Sequence, residues 1–134
     1  MLTIGIKGSA DLLVTEHLTA KEVGSGTVAV LATPMMIALM EKTCLLSVRP
    51  FLDEGQDTVG TQVHVSHTAA TPIGMRVYCD SELIEIDRRR LVFRVTARDD
   101  AGVVGEGTHE RFVIDTERFQ AKALARNQEP TTKK

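Results

Sequence analysis

This sequence has few cysteines and no excess of positive charge, and these two features exclude several classes of protein. The chain has only two cysteines, and their positions match neither a metal motif nor a disulfide framework. We therefore expect Cys44 and Cys79 to be reduced thiols in the core, and we expect no metal and no cofactor. The formal net charge of −2 and the pI of about 6.1 leave no basic surface of the kind that binds nucleic acid.

Long hydrophobic segments are missing as well. The N-terminus, MLTIGIKGSADLL, lacks the basic start and the long apolar segment of a signal peptide. The apolar run over residues 27–40 is too short to cross a bilayer and is broken by Pro34. We predict a soluble, cytoplasmic protein that does not act at a membrane.

The length and the hydrophobic content suit one globular domain. With 134 residues, of which 43% are hydrophobic, the chain can bury one core. We assign residues 1–134 to a single domain with an ordered core over roughly residues 8–125. The last residues, 126–134 (RNQEPTTKK), have the composition of a flexible tail.

The longest mostly apolar run, TPMMIALMEKTCLLSV at residues 33–48, predicts a helix with one acid inside it. Thr33 can cap the first turn, Pro34 suits the first helical position, and Pro50 ends the helix. At about 100° per residue, Glu41 falls at the centre of an apolar stripe made of Pro34, Ile37, Ala38, Cys44, Leu45 and Val48. A carboxylate there must be paired, hydrogen-bonded or protonated, so Glu41 is either the structural partner of an arginine or a functional group.

After Pro50 the pattern changes from the helical period to strands joined by tight turns. Alternation in residues 59–67 places one set of residues on a common face: Val59, Thr61, Val63, Val65 and His67. Further strand patterns cover residues 75–86, 91–97 and 103–114. Four consecutive strands with short turns make an antiparallel meander. Two weaker strands are predicted on either side of Gly8, and residues 116–125 fit a short helix.

One apolar helix followed by an antiparallel sheet predicts an α+β domain in which a curved sheet wraps the helix, which is the arrangement of the hotdog fold. The helix has more apolar surface than one sheet face can cover, and an open sheet leaves unpaired edges. Pairing of two protomers buries both surfaces, so we expect at least a homodimer.

Three blocks of the sequence, LATPMMIALMEKTC, VGTQVHVSHTAATPIGM and GEGTHERFVID, resemble blocks of the hotdog thioesterase family, in particular of its fluoroacetyl-CoA thioesterase-like members. They lie between residues 31 and 115, which is most of the chain. The resemblance implies hydrolysis of short acyl-CoA thioesters at a dimer interface by Thr33, Glu41 and His67. It also implies that Gly60 and Arg111 line the acyl site.

Elementary chemistry agrees with these three catalytic candidates. Thioester hydrolysis needs a nucleophile or a positioned water, a base, and donors for the oxyanion. Thr33 lies at a helix start, beside free N–H groups and the positive end of the helix dipole, where an ordinary capping threonine would also lie. Thr33 and Glu41 are eight residues apart, about 12 Å along a helix, and cannot touch directly. His67, a water or the substrate must bridge them. Attack by Thr33 and attack by a water that Glu41 activates are both open.

The segment between Thr15 and Thr33 has no aromatic residue. The corresponding segment of the family enzyme is a lid that carries aromatic side chains, so we expect a more open pocket here, without fluoroacetyl selectivity. The alternative to an enzyme is a hotdog module that binds acyl-CoA or another small ligand without turning it over. His109 lies in the third block, but its spacing gives it no role.

Overall fold

The computed structural model describes residues 1–128, which form five strands and three α-helices. They follow in this order: β1 Lys7–Leu13, α1 Ala20–Val23, α2 Thr33–Val48, β2 Gln56–His67, β3 Arg76–Asp87, β4 Arg90–Asp99, β5 Gly102–Asp115 and α3 Thr116–Gln128. Short 3₁₀ turns lie at Glu16–Leu18 and Arg49–Phe51. The predicted tail, residues 126–134, lies mostly outside the described residues, and its first three residues belong to α3.

All five strands form one antiparallel sheet in the order β1-β3-β4-β5-β2. The predicted α+β hotdog arrangement is confirmed, since α2 contacts every strand of the sheet. The meander prediction is wrong at one connection, because β2 pairs with β5 at the sheet edge and not with β3. Residues 68–75 connect β2 to β3. Backbone hydrogen bonds join this connection to the segment before α2. In one of them, the Leu31 N–H donates to the Thr71 carbonyl at 2.8 Å.

The predicted break at Gly8 is also wrong. β1 runs through Gly8 and pairs with β3 along its whole length. Gly8 lies against α2, where an added Cβ would be 2.6 Å from Cβ of Ser47 and 2.9 Å from the carbonyl oxygen of Thr43. A glycine is needed here because strand and helix approach closely, and the chain does not turn.

The helix α2 has the predicted length, but its start and its buried face differ from the prediction. Ala32 occupies the cap position, and Thr33 is the first helical residue. The side chains buried against the sheet are Met36, Leu39, Met40, Thr43, Cys44 and Val48. The predicted stripe is wrong, because Pro34 and Ala38 are exposed and the Glu41 side chain is 43% exposed. The helix is apolar on nearly every side, so hydrophobic periodicity does not identify the side that packs.

The core between α2 and the sheet is mostly aliphatic, with Phe93 of β4 as its largest fully buried side chain. Cys44 and Cys79 are free and buried in this core, as predicted. Burial raises the pKa of the Cys44 thiol to about 12, so the thiol is neutral. None of the helices in residues 1–128 combines the length and the hydropathy of a membrane-spanning segment.

A β-bulge at Thr61 interrupts the pairing of β2 with β5. Gly60 pairs with Arg111 and Gln62 pairs with Glu110, so Thr61 is an extra residue in the ladder. The Thr61 hydroxyl donates a hydrogen bond to the Glu110 carboxylate at 2.8 Å. The extra residue changes which side chains of β2 point toward α2.

This change corrects the alternation predicted for β2. Paired residues point to the same side of a sheet. The residues of β2 that pair with the inward residues of β5 are Thr58, Gly60, Val63, Val65 and His67. The prediction that Val59 and Thr61 share a face with His67 is wrong, because the bulge separates them from it.

We predict that Gly8→Ala lowers the free energy of unfolding by about 2 kcal/mol, because the new Cβ would overlap atoms of α2. The exposed neighbour Ser9 provides the matched control, and Ser9→Ala should change stability by less than about 0.5 kcal/mol. Urea unfolding followed by circular dichroism measures both values. Equal stability of the two variants would show that β1 and α2 can move apart freely.

Candidate active site

Thr33 and His67 meet at the start of α2. The Thr33 hydroxyl oxygen and Nδ1 of His67 are 2.7 Å apart, which is a short hydrogen bond between a potential nucleophile and a base. The first turn of α2 positions Thr33, and the last residue of β2 is His67. In residues 1–128 the Thr33 side chain makes this bond, and Ala32, not Thr33, occupies the cap position of α2.

The surroundings of His67 favour its neutral form. Nε2 is buried and has no hydrogen-bond partner among the residues that the structure describes. Burial lowers the pKa of His67 below its ordinary value, and the nearby backbone of Ala69 acts in the opposite direction. With the proton on Nε2, Nδ1 accepts the hydrogen bond from Thr33 and can take its proton.

A pocket of about 310 Å³ opens beside this pair. Besides Thr33 and His67, its lining consists of Ala20, Ser25, Val30, Leu31, Thr68, Ala69 and Ala70. The segment before α2 therefore lines one wall of the pocket with small and aliphatic side chains. A larger groove of about 1040 Å³ lies beside α3, but no histidine lines it.

Glu41 faces a second group of polar side chains across Gly60. Its Oε2 is 3.9 Å from Nη1 of Arg111, which is too long for a hydrogen bond. A Cβ on Gly60 would be 2.8 Å from the same oxygen and 3.2 Å from Cε1 of His109. Gly60 therefore leaves a small gap that Glu41, His109 and Arg111 surround.

Arg111 is buried and held by three hydrogen bonds. Its Nε and Nη2 donate to the hydroxyl and the carbonyl of Thr58 at 2.8 and 2.9 Å. Its Nη1 donates to Nε2 of His109 at 3.1 Å, and Nδ1 of His109 donates to the carbonyl of Gln62 at 2.8 Å. Burial first, and then the Arg111 charge, lower the pKa of His109, so this ring is neutral and can accept from Arg111.

The structure thus divides the five candidate residues between two groups. Thr33 and His67 form the first group, and Glu41, Gly60 and Arg111 form the second. No hydrogen bond or ion pair joins the groups within residues 1–128, and about 12 Å of helix separates Thr33 from Glu41. The expected bridge through His67 is absent, since its hydrogen bond is to Thr33. In the same part of the chain, no cluster of three or more His, Cys, Asp and Glu residues could hold a metal ion.

Two residues that contact the second group, Thr58 and His109, are not identified by motif or spacing. Both hold Arg111 in place. Residues two apart in a strand point to the same face, so Thr58 accompanies Gly60 and His109 accompanies Arg111. The two-residue spacing identifies Thr58 and His109 only after Gly60 and Arg111 have been assigned to the inner face.

Known proteins that are similar to this chain include fluoroacetyl-CoA thioesterases. The sequence profile of the fluoroacetyl-CoA-specific thioesterase family matches residues 14–117. The fluoroacetyl-CoA thioesterase of Streptantibioticus cattleyicolor is 38% identical over 127 residues, covering 90% of this chain and 91% of that protein. A solved structure of a fluoroacetyl-CoA thioesterase is 37% identical, with a TM-score of 0.88 over 97% of this chain and 99% of that one. A mutant solved in complex with fluoroacetate and CoA is 37% identical, with a TM-score of 0.83 over 88% of this chain and 99% of that one.

The fold and these relatives define an acyl-CoA thioesterase of the hotdog class. The chain belongs to the fluoroacetyl-CoA-specific thioesterase family, as its three sequence blocks predicted.

We predict that kcat/KM falls on the acid side of its pH profile only below the ordinary histidine pKa of about 6.5, because burial lowers the pKa of His67. The base form of His67 then persists as the pH falls through the ordinary value, and activity is lost only below the lowered value. Rates with acetyl-CoA between about pH 5 and pH 8 test this.

The exposed His17 provides the control, since His17→Gln should leave this acid-side fall where it is. A fall centred above about pH 7 would show that burial does not set the protonation of His67.

Proposed function

We propose that this chain hydrolyses short acyl-CoA thioesters with Thr33, His67 and Glu41 as its catalytic residues. The observation that carries this proposal is the 2.7 Å contact between Thr33 and His67 beside the open pocket. His67 takes a proton from the Thr33 hydroxyl, and the freed oxygen attacks the thioester carbonyl. The C–S bond then breaks, and the CoA sulfur leaves with the proton held by His67.

The start of α2 supplies stabilisation for the oxyanion. The Thr33 N–H makes no backbone hydrogen bond in the described part of the chain, and the next residue, Pro34, has no N–H. The positive end of the helix dipole adds to this donor. One oxyanion donor typically contributes about 10²- to 10³-fold to the rate.

The second group supplies the acid and the acyl site. The Glu41 side chain is half exposed and receives no hydrogen bond from residues 1–128, so its carboxylate is free to activate a water. Gly60 leaves room for the acyl group, and Arg111 is a fixed donor beside that room. If Thr33 is acylated first, Glu41 activates the water that releases the acid; if water attacks first, Glu41 activates that water directly.

The two groups complete one site when two copies of the chain pair. Along one helix, Thr33 and Glu41 are about 12 Å apart. The uncovered side of α2 includes the exposed Pro34 and Ala38, and β2 is an edge strand with residues 60–64 exposed. A two-fold axis beside α2 and β2 covers both surfaces and brings Glu41 of one copy toward Thr33 and His67 of the other. The functional unit is therefore at least a homodimer.

Mixing two inactive variants tests the shared site. His67→Ala removes the base and Glu41→Gln removes the acid, so each homodimer should lose at least about a hundredfold in thiol release from acetyl-CoA. In a dimer with one copy of each variant, one of the two shared sites regains every group. Joint refolding of an equimolar mixture makes half of the dimers mixed, so about a quarter of the wild-type activity should return.

Three results would contradict this proposal. Activity no higher than the sum of the two variants would show that each copy carries its own complete site. An active 14.7 kDa monomer in light scattering would exclude the dimer. Near-normal turnover of His67→Ala would remove His67 from the reaction.

The segment between Thr15 and Thr33 predicts an enzyme that accepts several short acyl groups. The described lining of the pocket has no Phe, Tyr or Trp, so closure of the segment before α2 cannot reward one acyl group through contacts with such side chains. We predict kcat/KM values within about tenfold for acetyl-, fluoroacetyl-, propionyl- and butyryl-CoA, since one methylene in an apolar pocket is worth roughly 1 to 3 kcal/mol. Thiol release under one condition measures all four. A preference for fluoroacetyl-CoA above about a thousandfold over acetyl-CoA would show that selectivity does not need an aromatic lid.

A further inference from the structure

His109 is buried, with 1% of its surface exposed, yet no step of the proposed reaction uses it. A buried imidazole needs partners for its nitrogens, and an apolar side chain would fill the same space without that requirement. Both nitrogens of His109 have partners: Nδ1 donates to Gln62, beside the bulge, and Nε2 accepts from Arg111. The ring therefore connects the bulged part of β2 to the guanidinium of Arg111.

Arg111 and Glu41 form a long ion pair, but no hydrogen bond joins them. Their nearest atoms, Nη1 and Oε2, are 3.9 Å apart. An arginine that is free to turn prefers a bidentate pair with a carboxylate at about 2.8 Å. Arg111 has five N–H groups, of which three are used by Thr58 and His109.

The other charged groups around His109 cannot replace this arrangement. Glu110, its neighbour in β5, points to the outer face, where its carboxylate accepts from Arg90 at 2.7 Å. β4 contributes the apolar ring of Phe93, whose centroid is 6.5 Å from that of His109. The charges that face His109 from the inner side are therefore Arg111 of β5 and Glu41 of α2.

We propose that His109 is a positioning residue that holds the guanidinium of Arg111 back from Glu41. The carboxylate of Glu41 then stays free to activate water, and the remaining N–H groups of Arg111 stay free for the acyl substrate. This inference rests on the proposed function, which places Glu41 and Arg111 at the acyl site. Without the His109 acceptor, Arg111 closes on Glu41 and both groups are withdrawn from the substrate.

Substitutions of His109 separate its hydrogen bonds from its volume. His109→Leu removes both polar atoms, and kcat/KM for acetyl-CoA should fall about 10- to 100-fold, mainly in kcat, as expected for a lost hydrogen bond to a charged group. His109→Gln keeps one donor and one acceptor and should recover to within about fivefold of wild type. Thr108→Leu is the matched control, since Thr108 is exposed on the other face of β5 and its loss should leave kcat/KM within about twofold.

A double-mutant cycle with Arg111→Gln tests whether His109 acts through Arg111. If it does, His109→Leu should lower kcat/KM by less than about twofold in the Arg111→Gln background. The same fold-loss in both backgrounds would indicate a structural role only and would overturn the inference. Should His109→Leu fail to fold, His109→Asn takes its place in the cycle, because the shorter amide cannot reach both partners.

Failure of this inference and failure of the proposed function give different results. Wild-type protein that releases no thiol contradicts the proposed function, while activity unchanged by His109→Leu contradicts only the role of His109. If wild type is inactive, hydrogen exchange of the Arg111 side chain, followed by ¹⁵N NMR, decides the inference. His109→Leu should then speed exchange at the guanidinium more than about tenfold and His109→Gln should not, whereas unchanged exchange in His109→Leu overturns the inference.

Discussion

The helix α2 needs cover on nearly every side, and the rest of the molecule depends on that requirement. Its sixteen residues include one acid and one base among mostly apolar side chains. The sheet covers only the side that carries Met36, Met40 and Cys44. Thr33, in the first turn, is exposed, and the Glu41 side chain is 43% exposed at the flank of the buried side, so under the proposed function these groups lie where substrate and a second copy would cover them.

Polar groups at the candidate site differ in how many of their atoms have hydrogen-bond partners in the described part of the chain. Arg111 is buried as a charge, and Thr58 and His109 provide the hydrogen bonds that a buried charge requires. In contrast, Nε2 of His67 and the Glu41 carboxylate lack hydrogen-bond partners in residues 1–128. The protein thus holds the guanidinium of Arg111 with three hydrogen bonds and leaves His67 Nε2 and the Glu41 carboxylate without one from the described residues.

The sequence was sufficient for the fold class, because a proline-bounded apolar helix followed by alternating strands has few ways to pack. It was insufficient for the face of α2, because a helix that is apolar all round has no preferred direction in its pattern. Gly8 was misjudged because a glycine for close approach and a glycine for a turn look the same in sequence. Motif resemblance supplied the five candidate residues but gave His109 no role, because its proposed role depends on a contact with Arg111 and not on a motif.

The bulge in β2 also limits how this strand can change in length. Gly60 and His67 are seven residues apart, an odd number, and both point inward only because Thr61 absorbs one position. A deletion that kept the bulge would turn one of them to the outer face. The strand can therefore lose one residue only together with its bulge, and gain one only by forming a second bulge. The number of residues between Gly60 and His67, together with the bulge, keeps these two residues on the same face of the sheet, and no single side chain determines this.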